Sequence, residues 1–388
     1  MVSVIKTLTK KMEITELIKN YLEFIDKYFI RAKEILIATR INPLVRYQVF
    51  ARKNIEKLKG VDEAVEFIEG VVGNEARVYA LRDNQKYKAK EPIMKIEGGV
   101  QDIIDLETAY LQILSGNFTG PIDLEEVRKN AREIKKAAED KSVLYFGARH
   151  FHYNLDEKIA KICQEEGFSG TSTDIGARAW NAKGLGTIPH ALILSYAAYM
   201  DENNIKGNPS VEAAKGFDKY IDKAVSRINL IDTFNREITD SIETAKAVPS
   251  LRAVRIDTCG ENYAQGSREV KLPRIDVDKK YLWDKGVSIA AVWALRRGLD
   301  KADFRDLEIV VSSGFNAEKT VAFMEADRIY QKMYGKPLFN SIGTGSIFNS
   351  AIMTTSDIVT YFNEKKRLWI PMSKVGRDER KTNRLERR

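Results

Sequence analysis

The sequence predicts an α/β fold, a parallel sheet or barrel preceded by an α+β unit, and three observations carry that expectation. From Ser142 to Gly345, short apolar runs alternate with helical segments. Each run ends in polar or small residues just before the next helical pattern, the arrangement of parallel sheets and barrels whose functional groups gather at the carboxyl ends of the strands. A turn-rich break, Gly116-Asn-Phe-Thr-Gly-Pro121, separates this alternation from what precedes it. The expected division is residues 1–120, completed by 350–388, and residues 121–349.

In chain order, Lys11 to Ala38 reads as helix, with Ile14, Leu17, Ile18, Tyr21, Leu22 and Ile25 on one face and Asp26-Lys-Tyr-Phe29 as an interruption. Tyr47–Ala51 alternates as a strand should and runs into Arg52-Lys53. Ala76–Ala80 and Pro92–Ile96 are further strands, the second closed by Gly98-Gly99. A helix spans Asp123–Ala138. Strand-like runs follow at Ser142–His150, Gly170–Asp174, Leu230–Asn235, Val254–Thr258, Ile309–Gly314 and Ser341–Gly345. Helices lie between them, around Leu155–Glu166, Ala191–Met200, Ser210–Val225, Ser241–Ala247, Val287–Arg297 and Asn316–Met324. At Gly186-Thr-Ile-Pro-His-Ala-Leu192 an extended segment gives way to a helix at His190, one of three histidines and the first candidate for chemistry.

Composition narrows the function classes. A chain of 388 residues with 44% hydrophobic residues can build two cores. No apolar run approaches the roughly 20 residues that span a bilayer, and the first residues lack the order of a signal peptide, so a cytoplasmic protein is expected. Two cysteines are too few for a disulfide framework or a zinc knuckle. The net charge of +8 is interleaved with acids, which argues against a nucleic-acid or membrane partner and leaves anionic small molecules. The basic stretch Lys374 to Arg388 reads as a solvated helix or frayed terminus.

Gly170-Thr-Ser-Thr173, Ser312-Ser-Gly314 and Gly343-Thr-Gly345 are strand ends where backbone N–H groups can approach a phosphate and hydroxyls add donors. Converging with Arg149, Arg255, Arg52 and Lys53, they point to a polyphosphate or sugar phosphate. Asp232 and Asp257 end apolar strands, where a carboxylate can hold ribose hydroxyls, magnesium-bound phosphate or an imidazole, or simply cap a helix. His150 and His152 share a strand face but lack a third metal ligand, and Cys259 reads as a packed residue.

Phe146-Gly-Ala-Arg149, Gly170-Thr-Ser172 followed by Ala177, Gly186-Thr with His190, Leu230-Ile-Asp-Thr233 and Arg255-Ile-Asp257 together resemble the motifs of the nicotinate phosphoribosyltransferase family, the type II phosphoribosyltransferases. The resemblance runs from about Asp26 to Gly345. It implies an irregular α/β barrel joined to an N-terminal α+β domain, and a homodimer with shared sites, possibly assembled further. It implies as reaction the displacement of pyrophosphate from 5-phosphoribosyl 1-pyrophosphate by nicotinate, with magnesium bound through pyrophosphate and ATP as co-substrate. On the matching positions, His190 would be the histidine phosphorylated by ATP and Asp232 the aspartate that orients it. Arg255 and Asp257 would hold the base or the phosphoribosyl group. Gly314, Gly343, Thr344 and Gly345, with Thr171, Ser172 and Ser312, would line the phosphate site beside Phe146 and Arg149. Tyr28 would reach over from a partner subunit to stack on the pyridine, and Arg52 and Lys53 would lie near the 5-phosphate.

Tyr145 stands where nicotinamide-using relatives carry an aspartate, which favours the acid as substrate; Thr258-Cys259-Gly260 departs from the family's Ser-Gly-Asp. Two other classes stay open: the same fold acting on nicotinamide or quinolinate, and a barrel that binds a nucleotide or sugar phosphate without catalysis.

Overall fold

Twelve short strands are sorted into two sheets of opposite character, in a computed structural model that describes residues 13–388. The first sheet is antiparallel. It is built from β1 (Leu44–Ala51), β2 (Ala76–Ala80), β3 (Met94–Gly99), β10 (Thr354–Asn363), β11 (Leu368–Pro371) and β12 (Glu386–Arg387), in the order β11-β10-β1-β3-β2-β12. In β3 alternate residues are buried, the signature of a sheet with one face on a core. The other face of the pairing matters more for function: β10 lies along β1, Tyr47 opposite Ile358 and Phe50 opposite Thr355.

The second sheet is parallel. Its strands are β4 (Ser142–Tyr145), β5 (Gly170–Thr171), β6 (Arg227–Leu230), β7 (Leu251–Ile256), β8 (Glu308–Val311) and β9 (Ser341–Thr344), in the order β5-β4-β9-β8-β7-β6. Apart from β9 returning to β4 this is chain order, as in a barrel, and helices connect successive strands. Among the described residues β5 and β6 are not paired, so the barrel is curled but open. The stretch Gly184–Pro189 passes along that gap without strand pairing, held to β5 by Leu185 N–H donating to the Thr171 carbonyl at 2.7 Å.

The two sheets have separate cores. One gathers Val143, Ile256, Ile309, Val311, Phe323 and Trp293 around the parallel strands. The other gathers Tyr47, Val49, Ile96, Tyr110 and Leu111 under the antiparallel sheet. Leu192, Ile193 and Leu194 of the helix His190–Glu202 belong to this second core, although the segment leading into that helix runs beside the parallel sheet. The helix therefore bridges the two bodies, with His190 at the seam.

Most expected elements are present within a few residues, but four expectations need correction. The first helical stretch breaks between Tyr21 and Asp26, in a short 3-10 turn, and a second helix starts at Lys27; Lys11 lies outside the described residues. The turn-rich break is shorter than expected: the helix Glu107–Thr119 runs through Gly116 and ends at Gly120. Gly116 sits there because a Cβ would come within 2.6 Å of the His152 backbone, so only glycine lets this helix pack so closely. Helices Val61–Val72 and Glu107–Thr119 were not expected, the latter because it is buried almost all round and lacks a polar stripe. Finally, the stretch from Lys374 onward is neither solvated helix nor frayed end: Lys374 and Arg377 are buried, and β12 pairs with β2. Among the described residues no helix is long and apolar enough to cross a membrane.

Candidate active site

Parallel pairing levels the carboxyl ends of β6, β7 and β8, because Leu230 lies opposite Arg255 and Ile256 opposite Val311. The residues that follow these ends face the seam between the two bodies. There a cavity of about 190 Å³ is lined by His190, Arg255, Asp257, Arg149, His150 and Lys374 on one side. Tyr28, Tyr47, Glu107, Ser356 and Asp357 line the other, together with Arg377.

His190 opens its helix, so its ring stands clear of the first turn. Its Nδ1 lies 2.9 Å from Thr233 Oγ1 and its Nε2 2.9 Å from Lys374 Nζ. Asp232 is 3.6 Å from Nε2, too far for a hydrogen bond, and is paired with Lys374 at 2.5 Å instead. The aspartate thus reaches the imidazole through a lysine. Burial, then the Lys374 ammonium, pushes the His190 pKa well below the ordinary histidine value. Burial also pulls on Lys374, but Asp232 and Asp257 outweigh it and hold the ammonium above its usual range.

Arg255 donates from Nε to Ser312 Oγ and from a terminal nitrogen to Asp257 Oδ2, both at 3.0 Å, while Ser312 Oγ donates to Asp257 Oδ1 at 2.8 Å. Burial would raise the Asp257 pKa; Arg255 and Lys374 overcome it and the net shift is downward. Phe146 lies between the Arg255 guanidinium, 5.1 Å from its ring centre, and Gly343, where any Cβ would strike the ring. Arg149 reaches across the cavity: it pairs with Asp26 at 3.0 Å and with Glu107 of the opposite wall at 2.8 Å, and its guanidinium lies 5.8 Å from the Tyr28 ring centre. Burial, against the pull of Arg149, pushes the Glu107 pKa up to about 8, and burial raises Asp357 as well.

Tyr28 and the His190 segment are held together by Gly186, whose absent Cβ would fall 2.6 Å from the Tyr28 backbone nitrogen, and by Arg31 donating to the Gly186 carbonyl at 2.6 Å. Tyr28 therefore lines the cavity beside His190 within one chain. Gly314 and Ser313 both have left-handed backbone, and Lys319 folds back to donate to the Ser313 carbonyl at 2.8 Å. Thr344 Oγ1 donates to the Phe315 carbonyl and accepts from Ser346 N–H, and the Gly345 carbonyl is 3.0 Å from His150 Nδ1. These loops stand beside the cavity at the ends of β8 and β9.

Four expected residues lie elsewhere. Arg52 pairs with Glu261 and Lys53 donates to the Ala351 carbonyl, both outside the cavity lining. Thr171, the last residue of β5, and Ser172 after it are buried with no hydrogen-bond partner for either hydroxyl. Tyr145 does not line the cavity either: it is fully buried in the core of the parallel sheet, its pKa raised by burial and by Asp156. The argument for the acid from a missing carboxylate at that position therefore finds no direct contact with the cavity to support it. Conversely, Lys374, Arg377, Glu107 and Asp357 were missed. Lys374 and Arg377 looked like part of a charged tail, and only the alternation Thr354–Tyr361, readable as a strand, could have hinted that the chain returns to the site. Among the described residues no cluster of three or more His, Cys, Asp or Glu side chains could hold a metal ion.

A curled parallel sheet with cation-rich strand ends, facing an antiparallel α+β body, is the architecture of the type II phosphoribosyltransferases, and the comparisons agree. A family model described as the N-terminal domain of quinolinate phosphoribosyl transferase matches residues 26–116. Nicotinate phosphoribosyltransferase of Bacillus subtilis is 26% identical over 250 residues, covering 64% of this chain and 42% of that protein. Nicotinate phosphoribosyltransferase 1 of Arabidopsis thaliana is 24% identical over 289 residues, covering 68% of this chain and 50% of its own length. The chain thus spans about half the length, or less, of these curated relatives. The crystal structure of nicotinate phosphoribosyltransferase from Porphyromonas gingivalis superposes with a TM-score of 0.63 over 91% of this chain and 92% of that one, at 12% identity, which speaks for the fold. The resemblance to the nicotinate phosphoribosyltransferase family drawn from the motifs is borne out.

Proposed function

We propose that this chain is a nicotinate phosphoribosyltransferase that forms nicotinate mononucleotide and pyrophosphate from nicotinate and 5-phosphoribosyl 1-pyrophosphate, coupled to ATP through His190. The observation that carries the reading is the single cavity in which His190, Arg255, Asp257, Arg149 and Tyr28 meet.

The pyridine nitrogen is already a nucleophile, so the barrier lies in the oxocarbenium-like ribose and the departing pyrophosphate. Buried, preorganised cations such as Arg255 and Arg149 stabilise developing negative charge without reorganising. Asp257, one of three carboxylates lining the cavity and the one held ionised, would help hold magnesium, which would supply charge to offset that of the pyrophosphate. The Ser313-Gly314 turn and the Thr344-Gly345 end offer backbone N–H groups to the 5-phosphate. Tyr28 offers a ring face to the pyridine, with Arg149 beside it for a carboxylate. His190, held uncharged, keeps one ring nitrogen unprotonated, as a phosphoryl acceptor must.

The purified protein, given 5-phosphoribosyl 1-pyrophosphate, magnesium and one of nicotinate, nicotinamide or quinolinate, with and without ATP, tests this directly. Nicotinate mononucleotide should form, faster with ATP, and radiolabel from the γ-phosphate should appear on His190. The matched N-terminal domain favours one second reading, quinolinate as the base; release of carbon dioxide from quinolinate, independent of ATP, would establish it and overturn the first. A merely phosphate-binding barrel would turn over none of the three.

A further inference from the structure

We propose that Lys374 is a positioning residue that fixes His190 as a neutral imidazole in one tautomer, with the proton on Nδ1 and the lone pair on Nε2. A lysine ammonium can only donate, so the nitrogen 2.9 Å from Lys374 Nζ must be the acceptor. A neutral ring has one N–H, which leaves Nδ1 to donate to Thr233 Oγ1, 2.9 Å away. The ammonium cannot drift from this post, because it is buried and also bound to Asp232 Oδ2 at 2.5 Å and the Asp257 carbonyl at 3.1 Å.

The charges around the ring come from three parts of the chain. Asp232 follows β6; Arg255 and Asp257 belong to β7 and its end; Lys374 and Arg377 come from the segment after β11. Lys374, Arg255 and Arg377 oppose protonation of His190 and Asp257 favours it, while Asp232 is screened from Nε2 by the intervening ammonium. Without that ammonium the ring would face Asp232 directly, in the ordinary carboxylate–imidazole relation that favours the imidazolium. Lys374 thus inverts the expected effect of an aspartate beside a histidine. No carboxylate motif in the sequence announces this, because the lysine lies 184 residues away.

Imidazole nitrogen NMR on the ¹⁵N-labelled full chain tests the assignment, and with three histidines the spectrum is simple to resolve by comparison with His190→Gln. The wild-type His190 should show the Nδ1–H tautomer and stay neutral across the range in which an ordinary histidine titrates. In Lys374→Met the ring should titrate, its midpoint raised by about one pH unit or more, and the tautomer should become mixed. Lys374→Arg, which keeps a buried donor cation, should restore the wild-type behaviour at least in part. An Nε2–H tautomer in the wild type would overturn the proposal without any variant, so a misfolded Lys374→Met cannot shelter it; so would a Lys374→Met spectrum identical to wild type. The consequence for catalysis rests on the function proposed above: phosphorylation of His190 by ATP in Lys374→Met should need higher pH, its acid limb moving with the midpoint. If the spectra come out as expected but no wild-type phosphohistidine forms at any pH, the ATP-coupled reading fails and the role of Lys374 stands.

Discussion

The two walls of the cavity each hold a buried or half-buried carboxylate, and they treat it in opposite ways. On the wall at the strand ends of the parallel sheet, Arg255, Lys374 and Ser312 surround Asp257 and hold it ionised, below the usual carboxylate range. On the antiparallel wall, Glu107 has Arg149 at 2.8 Å, yet burial, with Asp357 and Asp26 adding to it, outweighs that cation and the Glu107 pKa rises to about 8. Burial alone predicts the rise at Glu107 but not the fall at Asp257; the surplus of cations over carboxylates around Asp257 reverses it. Two carboxylates with pKa values pushed apart in one cavity are the usual arrangement of a site that needs one permanent anion and one adjustable group.

Four substitutions probe the difference, from the largest effect to the smallest. His190→Asn should cost about 100-fold or more in the ATP-stimulated rate and abolish radiolabelling, because it removes the phosphoryl acceptor. An unchanged stimulation would move the chemistry to the other wall. Arg255→Met strands Asp257 in a partly buried setting and should lower stability by about 2–4 kcal/mol in urea unfolding, with a raised KM for the phosphoribosyl substrate. A cost under about 1 kcal/mol would mean that the first wall is not charge-balanced as described.

Glu107→Gln tests the second wall through pH. A carboxyl whose pKa is raised in the folded state stabilises fully below its unfolded value, near 4.5, and loses that contribution as pH climbs through about 8. Wild type should therefore lose Tm between pH 5 and 8 relative to Glu107→Gln, by an amount worth a few kcal/mol at most. Parallel profiles would show Glu107 ionised throughout. Arg52→Ala, which breaks an exposed pair with Glu261 outside the cavity, should change stability by about 1 kcal/mol or less and leave KM unaltered. A large rise in KM there would extend the substrate site beyond the seam.

The same contrast explains what the sequence discloses. The parallel wall was legible because each strand end carries its chemistry in a short local string: Arg255-Ile-Asp257, Leu230-Ile-Asp-Thr233, the approach to His190. The antiparallel wall was not, since Glu107 lies in a helix with no polar stripe to betray it, and Asp357 is one acidic residue in a strand that joins β1 only through long-range pairing. Lys374 was misread for a related reason. In a basic stretch every lysine looks solvated, and only tertiary packing singles out the one whose ammonium is shared by Asp232 and His190. Tyr145 shows the converse: its place in the motif is plain in the sequence, while its burial in the sheet core is set only by packing.

The pairing of β1 with β10 also sets a timetable in the cell. β1 can join β3 soon after synthesis, but its other partner is made roughly three hundred residues later. At about 5–20 residues per second the ribosome needs on the order of tens of seconds to deliver it. Through that interval β1 presents an open edge rich in Val, Tyr and Phe, the kind of edge to which stray strands add. Nascent chains should therefore be vulnerable to association until β10 arrives, and folding helpers that shield strand edges should raise the yield of active protein more than those that act on the finished chain.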